Sequence, residues 1–179
     1  MNPDWTAGIG STLRWKNLSF GFLIDVRYGG DVYLQSMMRL QSNGQTKETV
    51  AGREEYYTTG KGLISQGVNV NTGLPNTVEL DPTTYWGQFY GNIGNYIYDT
   101  TNVRLRELNL TWTLPDKWFA KTIIRGLKLS AVANNVCFLY NNLPGFDPEC
   151  TYSTGNGQGI ETASLPSTRS FGFNLNVTF

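Results

Sequence analysis

The chain has 179 residues, 14 basic and 14 acidic side chains, no histidine, 13% aromatics and a mean hydropathy of -0.30. Balanced charge without a Lys/Arg cluster removes the electrostatic case for nucleic-acid binding. The absence of histidine removes Ser-His, Cys-His and the usual zinc chemistry, so neither an enzyme, a cofactor nor a metal centre is expected. No apolar run is long enough for a transmembrane helix, which leaves open strands whose hydrophobicity is hidden in alternation.

Trp5 to Trp15 and Leu18 to Tyr28 alternate with period two and are separated only by Lys16 and Asn17. A two-residue hairpin turn pairs Trp15 with Leu18, Leu13 with Phe20, Ser11 with Phe22, Ile9 with Ile24, Ala7 with Val26 and Trp5 with Tyr28. One face is then almost wholly apolar. The other carries Thr6, Gly8, Gly10, Thr12 and Arg14 against Arg27, Asp25, Leu23, Gly21 and Ser19, which suits a wet lumen better than a packed core. Each run has the roughly 9 to 11 residues that a tilted strand needs to cross a bilayer. Trp5, Tyr28 and Trp15 stand at the two ends of the apolar band, as in aromatic girdles.

A very long loop, 29 to 101, follows. Asp31 is read as the N-cap and Gly44 as the stop of a short helix carrying Val32, Leu34, Met37, Met38 and Leu40. Tyr56, Tyr57, Tyr85, Trp86, Phe89, Tyr90, Tyr96 and Tyr98 then crowd a Thr/Asn/Gly-rich background. Tyr56, Tyr57, Tyr85, Trp86, Tyr90 and Tyr96 are candidate contacts for a sugar, an extended peptide or a lid partner; the alternative is a miniature core that shapes the loop.

The third strand is expected at Val103 to Leu114, with a β-bulge where the apolar parity changes between Leu105 and Leu108. The fourth is expected at about Leu127 to Tyr140, its upper half blurred by Asn134, Asn135 and Cys137. A loop from Asn141 to Pro166 leads to a closing strand, Arg169 to Phe179. In that strand Phe171, Phe173, Leu175, Val177 and Phe179 share one face, and Ser170, Gly172, Asn174, Asn176 and Thr178 the other. Cys137 and Cys150 are compatible with a disulfide or with two free thiols. Asp147 and Glu149 are too few for a calcium site and suit a turn around Pro148.

Counting back from Phe179, the long loops fall on the extracellular side and the connections at 115–126 and 16–17 on the periplasmic side, as an outer-membrane barrel requires. The same count places Met1 outside the cell, and no charged and apolar export signal precedes the first strand. Five strands cannot close a barrel, since roughly eight is the smallest size. The expected fold is therefore all-β: the last five strands of a large antiparallel transmembrane β-barrel, with residues 1–179 as the C-terminal segment of a longer chain.

The ordered set Asn2-Pro3-Asp4-Trp5, Arg27-Tyr28-Gly29-Gly30-Asp31, Tyr85-Trp86, Val103-Arg104-Leu105-Arg106-Glu107, Asn134-Asn135, Gly145-Phe146-Asp147-Pro148-Glu149 and Pro166-Ser167-Thr168-Arg169-Ser170-Phe171 resembles the C-terminal end of SusC/RagA-type TonB-linked outer-membrane proteins. The resemblance implies a 22-stranded barrel whose plug, TonB box and signal peptide lie outside this chain. It also implies import of an oligosaccharide or peptide cargo across the outer membrane of Bacteroidetes-like bacteria. The partners it implies are a SusD-like surface lipoprotein and the TonB-ExbB-ExbD complex. A non-energised porin or adhesin-type barrel is the alternative, and a soluble carbohydrate-binding sandwich a distant third. In outer-membrane proteins generally, a terminal aromatic preceded by alternating apolar residues is read by the barrel-assembly machinery. Phe171, Phe173, Leu175, Val177 and Phe179 match that signal as well as a lipid-facing stripe.

Overall fold

The computed structural model describes residues 2–150, 155 and 157–179. The chain forms two compact units, one from Met1–Val32, Tyr98–Thr151 and Ser164–Phe179, the other from Tyr33–Ile97 and Tyr152–Ala163.

The first unit is built on five long strands: β1 (Trp5–Trp15), β2 (Leu18–Tyr28), β3 (Asn102–Thr113), β4 (Gly126–Asn141) and β5 (Ser170–Thr178). They lie side by side in that order, each antiparallel to the next. The β1/β2 register is the one expected, from Trp15↔Leu18 to Trp5↔Tyr28. Lys16 has φ 51, the positive sign that a II′-type turn needs at its first position, and Asn17 ties the turn to β3 through Nδ2 to the Thr113 carbonyl at 2.8 Å.

Register carries the alternation across the whole sheet. One row runs Leu13, Phe20, Leu110, Ala131, Phe173, and the next Trp15, Leu18, Trp112, Leu129, Leu175. The opposite face aligns Arg14, Ser19, Thr111, Ser130 and Asn174. The apolar rows are uncovered: Leu13 is 61% exposed, Leu110 45% and Phe173 87%. An apolar surface running over five strands is far larger than the patches soluble monomers expose, and it matches the lipid-facing side of a barrel wall. Trp5 stacks on Tyr28 at 5.4 Å at one end of the band, and Trp112 meets Trp118 at 6.0 Å near the other.

The expected bulge is present. Leu23 opposes Glu107 and Ile24 opposes Leu105, so Arg106 is the extra residue. Between β3 and β4 the register shifts twice, at Val103/Arg104 and at Leu105/Glu107. Asn135 has φ 50 at the second shift and is held from both sides, its Oδ1 accepting from Arg106 and its Nδ2 donating to the Thr168 carbonyl. That irregularity is what blurs the pattern of the fourth strand.

The second unit holds more structure than the single short helix expected in the long loop. It contains the helices α1 (Gln35–Ser42), α2 (Arg53–Thr59) and α3 (Pro82–Gly87) and a short hairpin pairing Leu63–Ile64 with Glu79–Leu80. Asp31 is not an N-cap: Asp31–Leu34 is extended, with Val32 and Leu34 buried, and the helix begins only at Gln35. The Glu161 carboxylate does the capping from outside, accepting from the Ser36 amide at 3.4 Å and hydroxyl at 3.0 Å. Gly44 does end the helix. It has φ 71, and with Gln45 N–H donating to the Leu40 carbonyl and Gly44 N–H to that of Gln41 it closes a Schellman motif.

Candidate functional site

Two constellations are built on this frame. In the first unit, Arg104 on β3 is 2% exposed and points from the polar face into the loop that follows β4. Its Nη2 lies 2.8 Å from Asp147 Oδ1, and its Nη1 lies 2.9 Å from Glu149 Oε2 and 2.7 Å from Ser167 Oγ. The Phe138 ring packs 4.0 Å from the guanidinium carbon. Arg106, the bulge residue, bridges Glu149 to Asp25 on β2, and Arg27 stands 3.9 Å from Glu149. Three arginines thus meet three carboxylates, and the cluster is neutral. Asp147 also accepts from the backbone amides of Glu149 and Ser167.

Burial pushes the Asp147 carboxyl up, but hydrogen bonds from Arg104 and Ser167 outweigh it and leave the group below its ordinary value. Hydrogen bonding from Arg106 holds the Glu149 carboxyl down against its own burial. These two acids are therefore ion-pair partners, a role that reading them as a turn around Pro148 did not include. The signal available in the sequence was four charges on two strands that pair, Asp25 and Arg27 on β2 and Arg104 and Arg106 on β3. A cavity of about 460 Å³ adjoins the cluster, lined in part by Phe138, Phe146 and Arg169. Cys137 and Cys150 do not form a disulfide with each other, and Cys150 Sγ donates to the Leu165 carbonyl at 3.0 Å.

In the second unit the aromatic residues divide. Tyr96 is 1% exposed and donates to Gln41 Oε1 at 2.6 Å, so this ring packs the interior as the alternative reading had it. Tyr85, Trp86 and Phe89 cluster on and after α3, with centroids 5.1 to 5.9 Å apart. The sequence supports that helix: Asp81 accepts from the Thr84 amide at 2.9 Å and Pro82 occupies the first turn. Tyr57 and Tyr90 face solvent, at 80% and 60% exposure, and Tyr56 meets Tyr57 edge to face at 5.6 Å. Tyr57 and Trp86 border a cleft of about 340 Å³ together with Arg53, Asn43 and Thr83. No group of metal-binding side chains occurs among the described residues.

Phe171, Phe173, Leu175 and Phe179 of the closing face are all exposed, and Val177 is half-buried. Arg169, expected to open that strand, precedes it.

No protein-family model matches the chain. It is 26% identical over 183 residues to the TonB-dependent receptor P3 of Formosa agariphila, a match that covers 99% of this chain and 16% of that protein. It is 24% identical over 184 residues to the TonB-dependent receptor P26 of the same organism, covering 99% of this chain and 17% of that protein. Among solved structures, the RagAB peptide importer in its closed-closed state superposes with a TM-score of 0.68 at 19% identity, over 99% of this chain and 17% of that one. The RagAB peptide transporter gives a TM-score of 0.66 at 19% identity, over 97% of this chain and 17% of that one. The chain therefore spans about a sixth of the length of the proteins it matches. Over almost its whole length it is similar to a stretch of a TonB-dependent receptor, with the fold of the corresponding part of a RagAB importer.

Proposed function

We propose that residues 1–179 form the C-terminal segment of a SusC-like outer-membrane barrel that imports oligosaccharides or peptides with energy from TonB-ExbB-ExbD and with a SusD-like lipoprotein at its outer mouth. The similarity to TonB-dependent receptors along 99% of the chain carries this reading. The five-strand apolar face supports it, because such a face needs lipid against it and every strand edge in a bilayer needs a partner. The second unit is then extracellular, where Tyr56, Tyr57, Tyr85, Trp86 and Tyr90 are placed to meet cargo or the lipoprotein.

In cells making the full-length protein, uptake of a labelled oligopeptide or oligosaccharide mixture should fall to background when TonB is removed. Uptake unaffected by that removal would favour a passive porin.

Phe179 closes the stripe offered to the assembly machinery. Deleting it from the full-length protein is expected to lower surface levels more than Val177→Ala does, as read by surface labelling of intact cells. Equal levels of the two variants would reduce the stripe to a lipid contact.

A further inference from the structure

The cleft in the second unit has an unbalanced charge at its wall. Arg53, the first residue of α2, donates through Nη2 to the Gly44 carbonyl and, at 2.8 Å, to Thr49 Oγ1. Glycine at 44 lets the guanidinium come this close, since a Cβ there would meet Nη2. Among the described residues Arg53 has no acidic side chain within ion-pair distance, and its Nε and Nη1 donors have no partner. Nearby Glu55 is engaged by Lys61 at 2.9 Å. A half-buried guanidinium on the wall of an open cleft, with donors only partly used, fits an anionic ligand.

The remaining lining narrows the ligand. Tyr57, Trp86 and Pro82 offer flat apolar faces, and Asn43 and Thr83 offer an amide and a hydroxyl. About 340 Å³ lies at the small end of the range for small-ligand clefts. The walls are helices and turns, not a strand edge that could add an extended peptide by main-chain pairing. We propose that this cleft binds an acidic sugar residue of a glycan, with Arg53 taking the uronate carboxylate and Tyr57 and Trp86 stacking on the ring. The inference rests on the importer reading only in placing the cleft outside the cell.

The test is an equilibrium titration of the purified full-length receptor in detergent, which needs no TonB. The probes are galacturonate and glucuronate trisaccharides, their neutral galactose and glucose counterparts, and a tripeptide with a free or amidated C-terminus. At least one acidic trisaccharide should bind about tenfold or more tightly than its neutral counterpart, and Arg53→Gln should erase that preference. Because Arg53 also holds Gly44, Tyr57→Ala serves as a second variant at a solvent-exposed ring. It should weaken acidic and neutral sugars alike. A preference that survives Arg53→Gln, no binding of either acidic sugar by the wild type, or unchanged binding by Tyr57→Ala would overturn the proposal. Binding of the free but not the amidated peptide, lost in Arg53→Gln, would overturn the glycan assignment in favour of a peptide carboxylate. TonB-dependent uptake that continues in any of these cases leaves the importer reading standing.

Discussion

Replacing Arg104 by alanine in the full-length protein is expected to destabilise the junction between β3 and the loop after β4 by about 3–5 kcal/mol, the range for removing one partner of a buried ion pair. Arg104 is 2% exposed, and its loss leaves Asp147, itself 8% exposed, as an uncompensated carboxylate beside Glu149. Arg106 and Arg27 still face Glu149, so the penalty falls mainly on Asp147 and on the turn that its oxygens organise through Glu149 and Ser167. Amide protection in residues 143–150, read by hydrogen exchange at pH 7, should fall by about two to four orders of magnitude. Lys61→Ala, at the exposed pair with Glu55, should leave exchange in the second unit unchanged. Unaltered protection in Arg104→Ala would mean that the loop is held by other contacts.

The same cluster sets a pH dependence. Asp147 and Glu149 are both held below their ordinary values of 3.8 and 4.5. Their contribution is therefore complete above about pH 4.5 and is lost as the pH falls through the lower, folded-state values. Acid should release the loop in the wild type and change Arg104→Ala less, since that variant has already lost the partner.

Leu108→Arg is expected to destabilise the membrane-inserted protein by about 2–4 kcal/mol, the penalty for a guanidinium on the lipid face near the bilayer midplane. Leu108 sits in a middle row of the apolar face with Ser11, Phe22, Ala133 and Phe171. Asn109→Arg, one residue away, enters the polar face beside Gly21, Thr12 and Glu107, where water and a carboxylate are close. Urea midpoints in lipid vesicles should separate the two variants widely. Equal midpoints would mean that the two faces do not see different solvents.

The wall was largely readable before folding because two signals agreed. Period-two alternation fixes which residues share a face, and a two-residue turn leaves β1 and β2 a single register, so the pairing could be written out residue by residue. The bulge at Arg106 announced itself as a change of parity between Leu105 and Leu108. The fourth strand blurred because Asn135 leaves extended geometry and the register shifts twice near it. The second unit was hidden for a different reason. Its helices α2 and α3 have seven and six residues, too short for periodicity to show. Asp31 misled because a cap-type residue preceded an apolar run, while the alternation Asp31-Val32-Tyr33-Leu34 favoured a strand whose helix is capped by Glu161. The ion cluster joins Arg104 to Asp147 and Glu149, 43 and 45 positions away, and no local pattern links residues at that separation.

One face of the five-strand sheet is expected to meet lipid and the other water. Nitroxide labels placed singly at 109, 110, 173 and 174 of the full-length protein in the outer membrane, with Cys137 and Cys150 replaced, would test it through collision with oxygen and with a water-soluble nickel complex. Positions 110 and 173 should favour oxygen, and positions 109 and 174 nickel. Four positions with the same accessibility, or the opposite alternation, would mean that the sheet does not divide lipid from water in this way.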